Sequence, residues 1–221
     1  ENMKKNFLIV VTTWATLAII TTPVLAEGNI AAGKEKARAC VACHGADGNS
    51  FVPQWPKLAE QSARYITRQL QSFKAGQRVD NSQEGKTMMG LVQPLSQQDI
   101  EDLAAYFSSQ SIKRGSSTSD LLNVGKQVYR KGHIKARVLA CVGCHGFKGA
   151  GNNALLEPLN AHSKVEAPRI GSQHATYIIK QLKAFRDETR NNDVGKIMRN
   201  IAKGMTDEEI NAVAEYIATL H

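Results

Sequence analysis

The chain has few cysteines, since only four occur among its 221 residues. All four lie in two copies of the motif C-x-x-C-H, which are Cys40, Cys43 and His44 and then Cys141, Cys144 and His145. No further cysteine is left to complete a four-cysteine zinc ribbon, and a disulfide does not require the histidine that follows each second cysteine. Two short disulfides or one zinc site therefore remain as disfavoured alternatives.

The spacing within this motif suits covalent attachment of a c-type haem. Two thiols three residues apart can add to the two vinyl groups on one edge of a haem, while the adjoining imidazole reaches the iron as its proximal ligand. Two copies of the motif thus predict two covalently bound haem c groups, with the four cysteines as attachment points. We expect His44 and His145 to be axial ligands of the two irons.

The sequence also lacks any run that alternates with the two-residue period of a β-strand. Apolar residues instead recur at three- and four-residue spacing, as at Ile66, Leu70 and Phe73. Ser96 and Thr206 each begin a capping-box pattern at the start of a helix. These patterns predict an all-α fold with three helices per domain: one that ends at the haem motif, one after a proline and one at the end.

The second half of the chain repeats the plan of the first half. The two C-x-x-C-H motifs are offset by 101 residues, the segment that begins at Pro56 recurs at Pro168 with an offset of 112, and Met88 recurs at Met198 with an offset of 110. The second half therefore has about 11 extra residues after its motif, which we place in a loop at residues 152–167. We predict two tandem domains, 27–112 and 120–221, joined by a short linker at 113–119 that leaves them packed together.

Methionine is scarce, which narrows the choice of a sixth iron ligand. Of the five methionines, Met3 lies in the N-terminal segment, and Met205 occupies a leucine position of the repeat that suits core packing. Met88 and Met198 occupy matching positions, so we expect them to be the second axial ligands of the two irons. Met89 is the alternative to Met88.

Histidine is scarcer still in the first half, where only His44 occurs. The first haem therefore cannot take two histidines from its own domain. In the second half His162 or His174 could compete with Met198 for the iron, although His174 is better suited to bonding a haem propionate or capping a helix.

The N-terminus has the pattern of an export signal. Lys4 and Lys5 precede an apolar run over residues 7–25, and small residues end the segment at Ala26. The run is long enough to cross a bilayer, so residues 1–26 are either a cleaved signal peptide or an uncleaved membrane anchor. Both alternatives place the haem domains in the bacterial periplasm.

Acidic residues are missing from residues 121–156, and the chain has a formal net charge of +8. When residues 1–26 are left out and the rest is divided near Gly115, the first part has 11 basic and 9 acidic residues, whereas the second part has 15 and 10. A basic face for an acidic protein partner is one interpretation, and an ordinary solvated surface is the other. Nucleic acid is not an expected partner of an exported haem protein.

The chain resembles the dihaem cytochrome c4 family over residues 28–221. The segments that show the resemblance are Cys40 to Ser50, Pro56 to Leu58, Met88, Pro94 to Ser96, Ala104 to Phe107, Cys141 to Gly146, Gln173 to Tyr177, Met198 to Arg199 and Leu220 to His221. The resemblance implies two class I cytochrome domains related by a pseudo-twofold axis, with the haem propionates near the interface between them. It also implies that a proline carbonyl, from Pro56 and from Pro168 or Pro158, orients each ligand imidazole.

The same resemblance implies electron transfer in the periplasm, from a cytochrome bc complex or a similar donor to a haem-copper terminal oxidase. Irons saturated by His and Met have no open position for a substrate, so we expect an electron carrier and not an enzyme. The alternative is the cytochrome subunit of a periplasmic flavin-containing sulfide dehydrogenase. A catalytic dihaem protein with a cysteine-ligated iron is disfavoured, because no fifth cysteine exists.

Overall fold

The computed structural model describes residues 28–78, 82–152 and 166–221. Within these ranges the chain forms α-helices and short 3-10 turns, and its only β-type pairing is two isolated bridges. The predicted all-α architecture is therefore confirmed. The predicted signal or anchor and most of the 152–167 loop lie outside the described residues. No helix in the described part of the chain is long and apolar enough to cross a membrane.

The described residues of the first domain form five α-helices. They are α1 (Ile30–Lys36), α2 (Val41–His44), α3 (Ala63–Lys74), α4 (Gln83–Val92) and α5 (Gln97–Ser108). Helix α5 starts with the predicted capping box, in which the Ser96 hydroxyl accepts from the Asp99 N–H and the Asp99 carboxylate accepts from the Ser96 N–H. Its apolar face packs on α3 through a core that includes Ile66, Leu103 and Phe107.

The part of the second domain that the structure describes repeats this arrangement with five more α-helices. They are α6 (Leu122–Lys131), α7 (Val142–His145), α8 (Ala175–Arg186), α9 (Ile197–Lys203) and α10 (Asp207–Ala218). The capping box predicted at Thr206 and Glu209 is present at the start of α10. Ile178, Val213 and Ile217 form part of the core between α8 and α10.

The prediction of three helices per domain was wrong, because the structure adds α4 and α9 and divides the helix expected before each haem motif into two, α1 with α2 and α6 with α7. Helices α4 and α9 carry Met88 and Met198. Helix α4 contains Gly85 and Gly90, and α9 has only seven residues, so neither displays a long apolar stripe. Each needs the surrounding domain to hold it in place.

A glycine lets the first and last long helices of each domain cross closely. A side chain at Gly33 in α1 would clash with the carbonyl oxygen of Asp102 in α5, and one at Gly125 in α6 would clash with that of Ala212 in α10. The equivalence of Gly33 and Gly125 reveals an insertion, because Gly33 lies seven residues before Cys40 whereas Gly125 lies sixteen before Cys141. The second domain therefore has nine additional residues before its attachment motif.

The insertion forms an anchored loop with an exposed tip. The backbone of His133 pairs with that of Val138, whose side chain is buried, and Nδ1 of His133 lies 2.8 Å from a carboxylate oxygen of Glu209. Ile134, between these anchors, is 89% exposed. The loop is held at its base, while its apolar tip faces solvent.

The segment at 113–119 packs against both domains, as its shortness predicts. The carbonyl of Lys113 accepts from Lys57 Nζ at 2.7 Å, and Ser117 Oγ donates to Glu215 at 2.6 Å. A side chain at Gly115 would clash with the carbonyl of Ala218. The domains are thus held in contact along the linker.

Candidate haem sites

Each attachment motif folds into a single helical turn. Helices α2 and α7 start one residue after Cys40 and Cys141 and end at His44 and His145. The glycine after each histidine has a φ of 77°, a conformation that glycine adopts without steric cost. The chain turns sharply there, and both imidazoles are left buried.

The carbonyl of a proline lies against each of these imidazoles. Nδ1 of His44 is 2.9 Å from the carbonyl oxygen of Pro56, and Nδ1 of His145 is 2.9 Å from that of Pro168. A carbonyl can only accept, so Nδ1–H is the donor and Nε2 keeps its lone pair. Pro158, the other proline considered for His145, lies outside the described residues.

Burial keeps both histidines neutral. Desolvation lowers the pKa of His44 and of His145, and the hydrogen bond to the proline carbonyl opposes this shift only in part. The neutral imidazole, with its proton held on Nδ1, is the form that binds a metal through Nε2. Each imidazole is therefore set up as a ligand.

No disulfide joins any two of the four cysteines. Burial, with a smaller contribution from Cys43, raises the pKa of Cys40, and burial raises the pKa of Cys141 to about 11. A redox-active dithiol requires the opposite shift. Among the described residues no group of three or more His, Cys, Asp or Glu side chains could hold a metal ion. Neither the disulfide nor the zinc alternative is supported.

One cavity of about 570 Å³ connects the two attachment motifs. Its wall contains the cysteines and histidines of both motifs, and it also contains Met88 of α4 and Met198 of α9 but not Met89. Met205 reaches the same wall and is otherwise buried in the core of the second domain, as its leucine-like position predicts. The structure thus brings each predicted histidine and methionine to one apolar cavity.

The remaining histidines make contacts elsewhere. His174 precedes α8 but makes no capping bond with its side chain, and its Nε2 lies 2.9 Å from Ser50 Oγ and 3.0 Å from the Ser50 carbonyl in the other domain. The expected capping role was therefore wrong, because the imidazole bonds Ser50 instead, while the propionate alternative stays a prediction. His133 pairs with Glu209, and His162 lies outside the described residues.

Sequence reasoning missed a symmetric polar cluster between the domains. Arg78 donates to Gln69 of its own domain at 3.0 Å and to the Tyr177 hydroxyl of the other domain at 2.8 Å. Arg190 repeats both contacts, to Gln181 at 2.6 Å and to the Tyr65 hydroxyl at 3.0 Å. Each of these residue types recurs at an offset of 112, which is the signal that could have identified the cluster.

The cluster concentrates positive charge at the cavity wall. Arg78 and Arg190 are both buried and both line the cavity. Burial by itself would raise the pKa of Tyr65, but the neighbouring Arg190 and Arg78 outweigh it and lower that pKa. A buried positive charge requires a nearby negative one. The carboxylates of a bound haem would supply it.

The described residues fit two haem c groups. Two cysteines, a neutral imidazole with its proton on Nδ1 and a thioether from each domain line one apolar cavity, and two guanidinium groups belong to the same wall. This set matches the requirements of covalent haem attachment and axial ligation. The features together define a c-type cytochrome with two haem-binding domains.

Comparisons with known proteins agree with this class. The family model described as Cytochrome c matches residues 30–111 and 123–221. Cytochrome c4 of Pseudomonas aeruginosa is 42% identical over 197 residues, which cover 89% of this chain and 90% of that protein. The crystal structure of reduced recombinant cytochrome c4 from Pseudomonas stutzeri superposes with a TM-score of 0.76 at 41% identity, over 88% of this chain and 100% of that one.

A more distant relative has a different descriptive name. The thiosulfate dehydrogenase electron acceptor of Stutzerimonas stutzeri is 32% identical over 191 residues, which cover 83% of this chain and 80% of that protein. The chain belongs to the cytochrome c family and, within it, to the dihaem cytochrome c4 family. It carries two covalently bound haem c groups and is an electron-transfer protein, not an enzyme.

Proposed function

We propose that the protein carries electrons in the periplasm between a respiratory donor, a cytochrome bc complex or a similar one, and a haem-copper terminal oxidase. The observation that supports this most directly is the single cavity that both attachment motifs and two matched methionines line. A haem iron exchanges one electron between its ferric and ferrous states. The side chains described below determine how readily that exchange occurs.

The proposed ligand sets are His44 with Met88 and His145 with Met198. Pro56 and Pro168 fix the orientation of each imidazole through their carbonyls, 2.9 Å from Nδ1. Methionine ligation raises the reduction potential and leaves no position open for a substrate. Arg78 and Arg190 offset the charge of the haem propionates at the interface.

The proposal includes the domain boundaries 27–112 and 120–221, with 113–119 as the linker. It also includes export directed by residues 1–26. Whether residues 7–25 are removed or retained as a membrane attachment is a separate prediction. N-terminal sequencing of the mature protein, isolated from cells, distinguishes the two.

The inserted loop of the second domain is the proposed docking face for an acidic partner. Lys131, Lys135 and Arg137 are exposed around the apolar tip at Ile134. Leu139, at the end of the loop, is 67% exposed and also lines the cavity, so the face reaches the haem site. Apolar contact at the centre with complementary charges around it is the usual form of a specific interface.

A second candidate role is to accept electrons from a periplasmic sulfur-oxidising enzyme. The relative described as a thiosulfate dehydrogenase electron acceptor favours such a donor over the flavin-containing sulfide dehydrogenase first considered. Both roles require the same haem sites and differ only in the donor. The flavoprotein alternative predicts a stable complex with a flavin-binding subunit.

Oxidation of the reduced protein by washed membranes of the bacterium that expresses it tests the proposal. We expect rapid oxidation followed at the haem α-band, and cyanide should abolish it because cyanide blocks haem-copper oxidases. Membranes that leave the protein reduced would contradict the oxidase as acceptor. Purification of the protein from the same cells, with any flavoprotein or bc complex that accompanies it, then identifies the donor.

A further inference from the structure

The peptide group that orients each haem-ligand imidazole also contacts the opposite domain. The carbonyl of Pro56 and the N–H of Lys57 belong to one planar peptide unit. The carbonyl accepts from Nδ1 of His44 at 2.9 Å, and the N–H donates to Oε1 of Gln173 in the second domain at 2.9 Å. A single peptide unit therefore links an imidazole of the first domain to a side chain of the second.

The arrangement is repeated in the other direction. The carbonyl of Pro168 accepts from Nδ1 of His145 at 2.9 Å, and the N–H of Arg169 donates to Oε1 of Gln61 in the first domain at 3.0 Å. Gln61 and Gln173 thus make equivalent contacts across the interface. Neither contact is needed to hold a haem within its own domain.

Each glutamine is fixed in orientation. Nε2 of Gln173 donates to the Lys57 carbonyl at 2.9 Å, and its Oε1 also accepts from the N–H of His174 at 3.0 Å. Nε2 of Gln61 donates to the Arg169 carbonyl at 2.8 Å. If either amide were flipped, its NH₂ group would face a backbone N–H and its oxygen would face a backbone carbonyl. Only one orientation therefore satisfies these bonds. The two side chains are 8% exposed at Gln61 and 6% at Gln173, which excludes most competing water.

Hydrogen bonds in series polarise one another. When a peptide N–H donates to an amide oxygen, the carbonyl of the same unit becomes a stronger acceptor. A stronger acceptor at Nδ1 makes the imidazole a more basic ligand, and outer hydrogen bonds of this kind tune the metal. A more basic ligand favours the ferric state. The oxygen of each glutamine should therefore lower the potential of the haem in the opposite domain.

We infer that Gln173 is a positioning residue for His44 and that Gln61 is a positioning residue for His145, so that each domain completes the ligand hydrogen bonding of the other. The inference rests on the proposed role of both histidines as iron ligands. It makes the potential of each haem depend on contact between the domains. Opening of the interface would raise both potentials.

Replacing one glutamine at a time tests this relation. Gln173→Met keeps the length of the side chain and removes both bonds to Lys57, so the equilibrium constant for reduction of the first-domain haem should rise by up to about tenfold, or about 59 mV for one electron. The second-domain haem should not change. Gln61→Met should give the reverse pattern. Haem methyl NMR signals assigned to each domain report the two potentials separately during a redox titration.

His174→Ala is the matched control, because it breaks an interdomain bond to Ser50 while Lys57 keeps its contact with Gln173. It should leave the first-domain potential unchanged. The inference is overturned if each glutamine variant shifts only the haem of its own domain, shifts both haems equally, or behaves like His174→Ala.

A milder variant covers the case in which Gln173→Met does not fold. Gln173→Asn stays polar but is one methylene shorter, so it should raise the first-domain potential in the same direction by a smaller factor. A folded Gln173→Asn protein with an unchanged potential overturns the inference. If the wild-type spectra lack histidine-ligated haems, the proposed ligand sets fail instead, and the two failures are thus distinguishable.

Discussion

The two domains are alike around the histidines and different on their outer surface. Both have a single-turn attachment helix, a proline carbonyl on the imidazole, a capping box on the last helix and a glycine at the helix crossing. The second domain alone has the nine-residue loop before Cys141, and its surplus of 15 basic over 10 acidic residues is larger than the 11 over 9 of the first. The shared parts are those that hold a haem, and the differing parts are exposed. The difference therefore concerns what each domain contacts and not how it binds its cofactor.

Among the changes that compare the two domains, removal of the predicted methionine ligands should have the largest effect. Met88→Ala and Met198→Ala should each abolish about half of the weak long-wavelength absorption of the ferric protein that arises from sulfur ligation, because each domain contributes one such iron. The absorption spectrum of the oxidised protein measures this. Met89→Ala is the control and should leave the band intact. Loss of half the band in Met89→Ala would show that the repeat alignment is off by one.

Substitution of the crossing glycines should have the next largest effect. Gly33→Ala and Gly125→Ala should each lower the free energy of unfolding by about 1–3 kcal/mol, because the added methyl group clashes with a backbone carbonyl of the partner helix. Urea unfolding followed by far-UV circular dichroism measures this. Gly90→Ala in α4 is the control, since nothing lies within 4 Å of its position. A marked difference between the first two variants would break the structural equivalence of the domains.

Charge reversal at the inserted loop tests whether the two domains differ in docking to the electron acceptor. Replacing Lys131, Lys135 and Arg137 by Glu should slow electron delivery to the membrane acceptor by about tenfold at low salt, because electrostatic steering raises association rates. The defect should shrink as ionic strength rises, since the screening length is about 8 Å at physiological salt. Stopped-flow oxidation at several salt concentrations measures both.

The matched control for this experiment lies in the first domain. Lys34 and Arg38 are exposed there, before the first attachment motif. Reversing both should leave the rate within about twofold of the wild type, since these residues lie outside the proposed docking face. Equal slowing by the two sets would show that docking does not distinguish the domains.

The smallest expected effect concerns acid stability at the two capping boxes. The Ser96 hydroxyl and backbone N–H, with help from Lys36, lower the pKa of Asp99 from 3.8 to about 2. The ionised form is thus favoured by folding, and its contribution is present above pH 3.8 and lost as the pH falls through about 2. Ser96→Ala should reduce the steepness of acid unfolding between these values. Circular dichroism during acid titration measures it.

The second capping box is the comparison for that experiment. Burial raises the pKa of Glu209, but hydrogen bonds from Thr206 and His133 outweigh burial and lower it. Thr206→Ala should therefore alter acid unfolding in the same direction as Ser96→Ala. Opposite effects would show that the two caps are not equivalent.

Local patterns in the sequence predicted the helical fold well. The stripe at Ile66 and Phe73 and the capping boxes at Ser96 and Thr206 are short-range signals, and each corresponds to a helix or its start. The helices α4 and α9 gave no such signal, because glycine and short length weaken the periodicity. Tertiary contacts with the rest of the domain hold them, and these cannot be deduced from spacing.

The residues of the site that lie within one sequence motif could be predicted. The contacts between the two domains could not. Covalent attachment is predicted from five consecutive residues, so Cys40 and Cys141 could be assigned directly. The contacts of Arg78 with Tyr177 and of Gln173 with Lys57 join residues about a hundred positions apart. Their recurrence at an offset of 112 was visible, but only the pseudo-twofold arrangement of the domains shows that each contact crosses to the other copy.

The paired contacts of Gln61 and Gln173 have the form of a homodimer interface, in which one residue makes the same contact on both sides of a twofold axis. In such an interface a single substitution in each copy makes or removes two sets of bonds. Here residues 113–119 join the two sides in one polypeptide. A short link holds the sides at an effective concentration of about millimolar. The pairing therefore survives dilution, and two redox centres stay together within one chain.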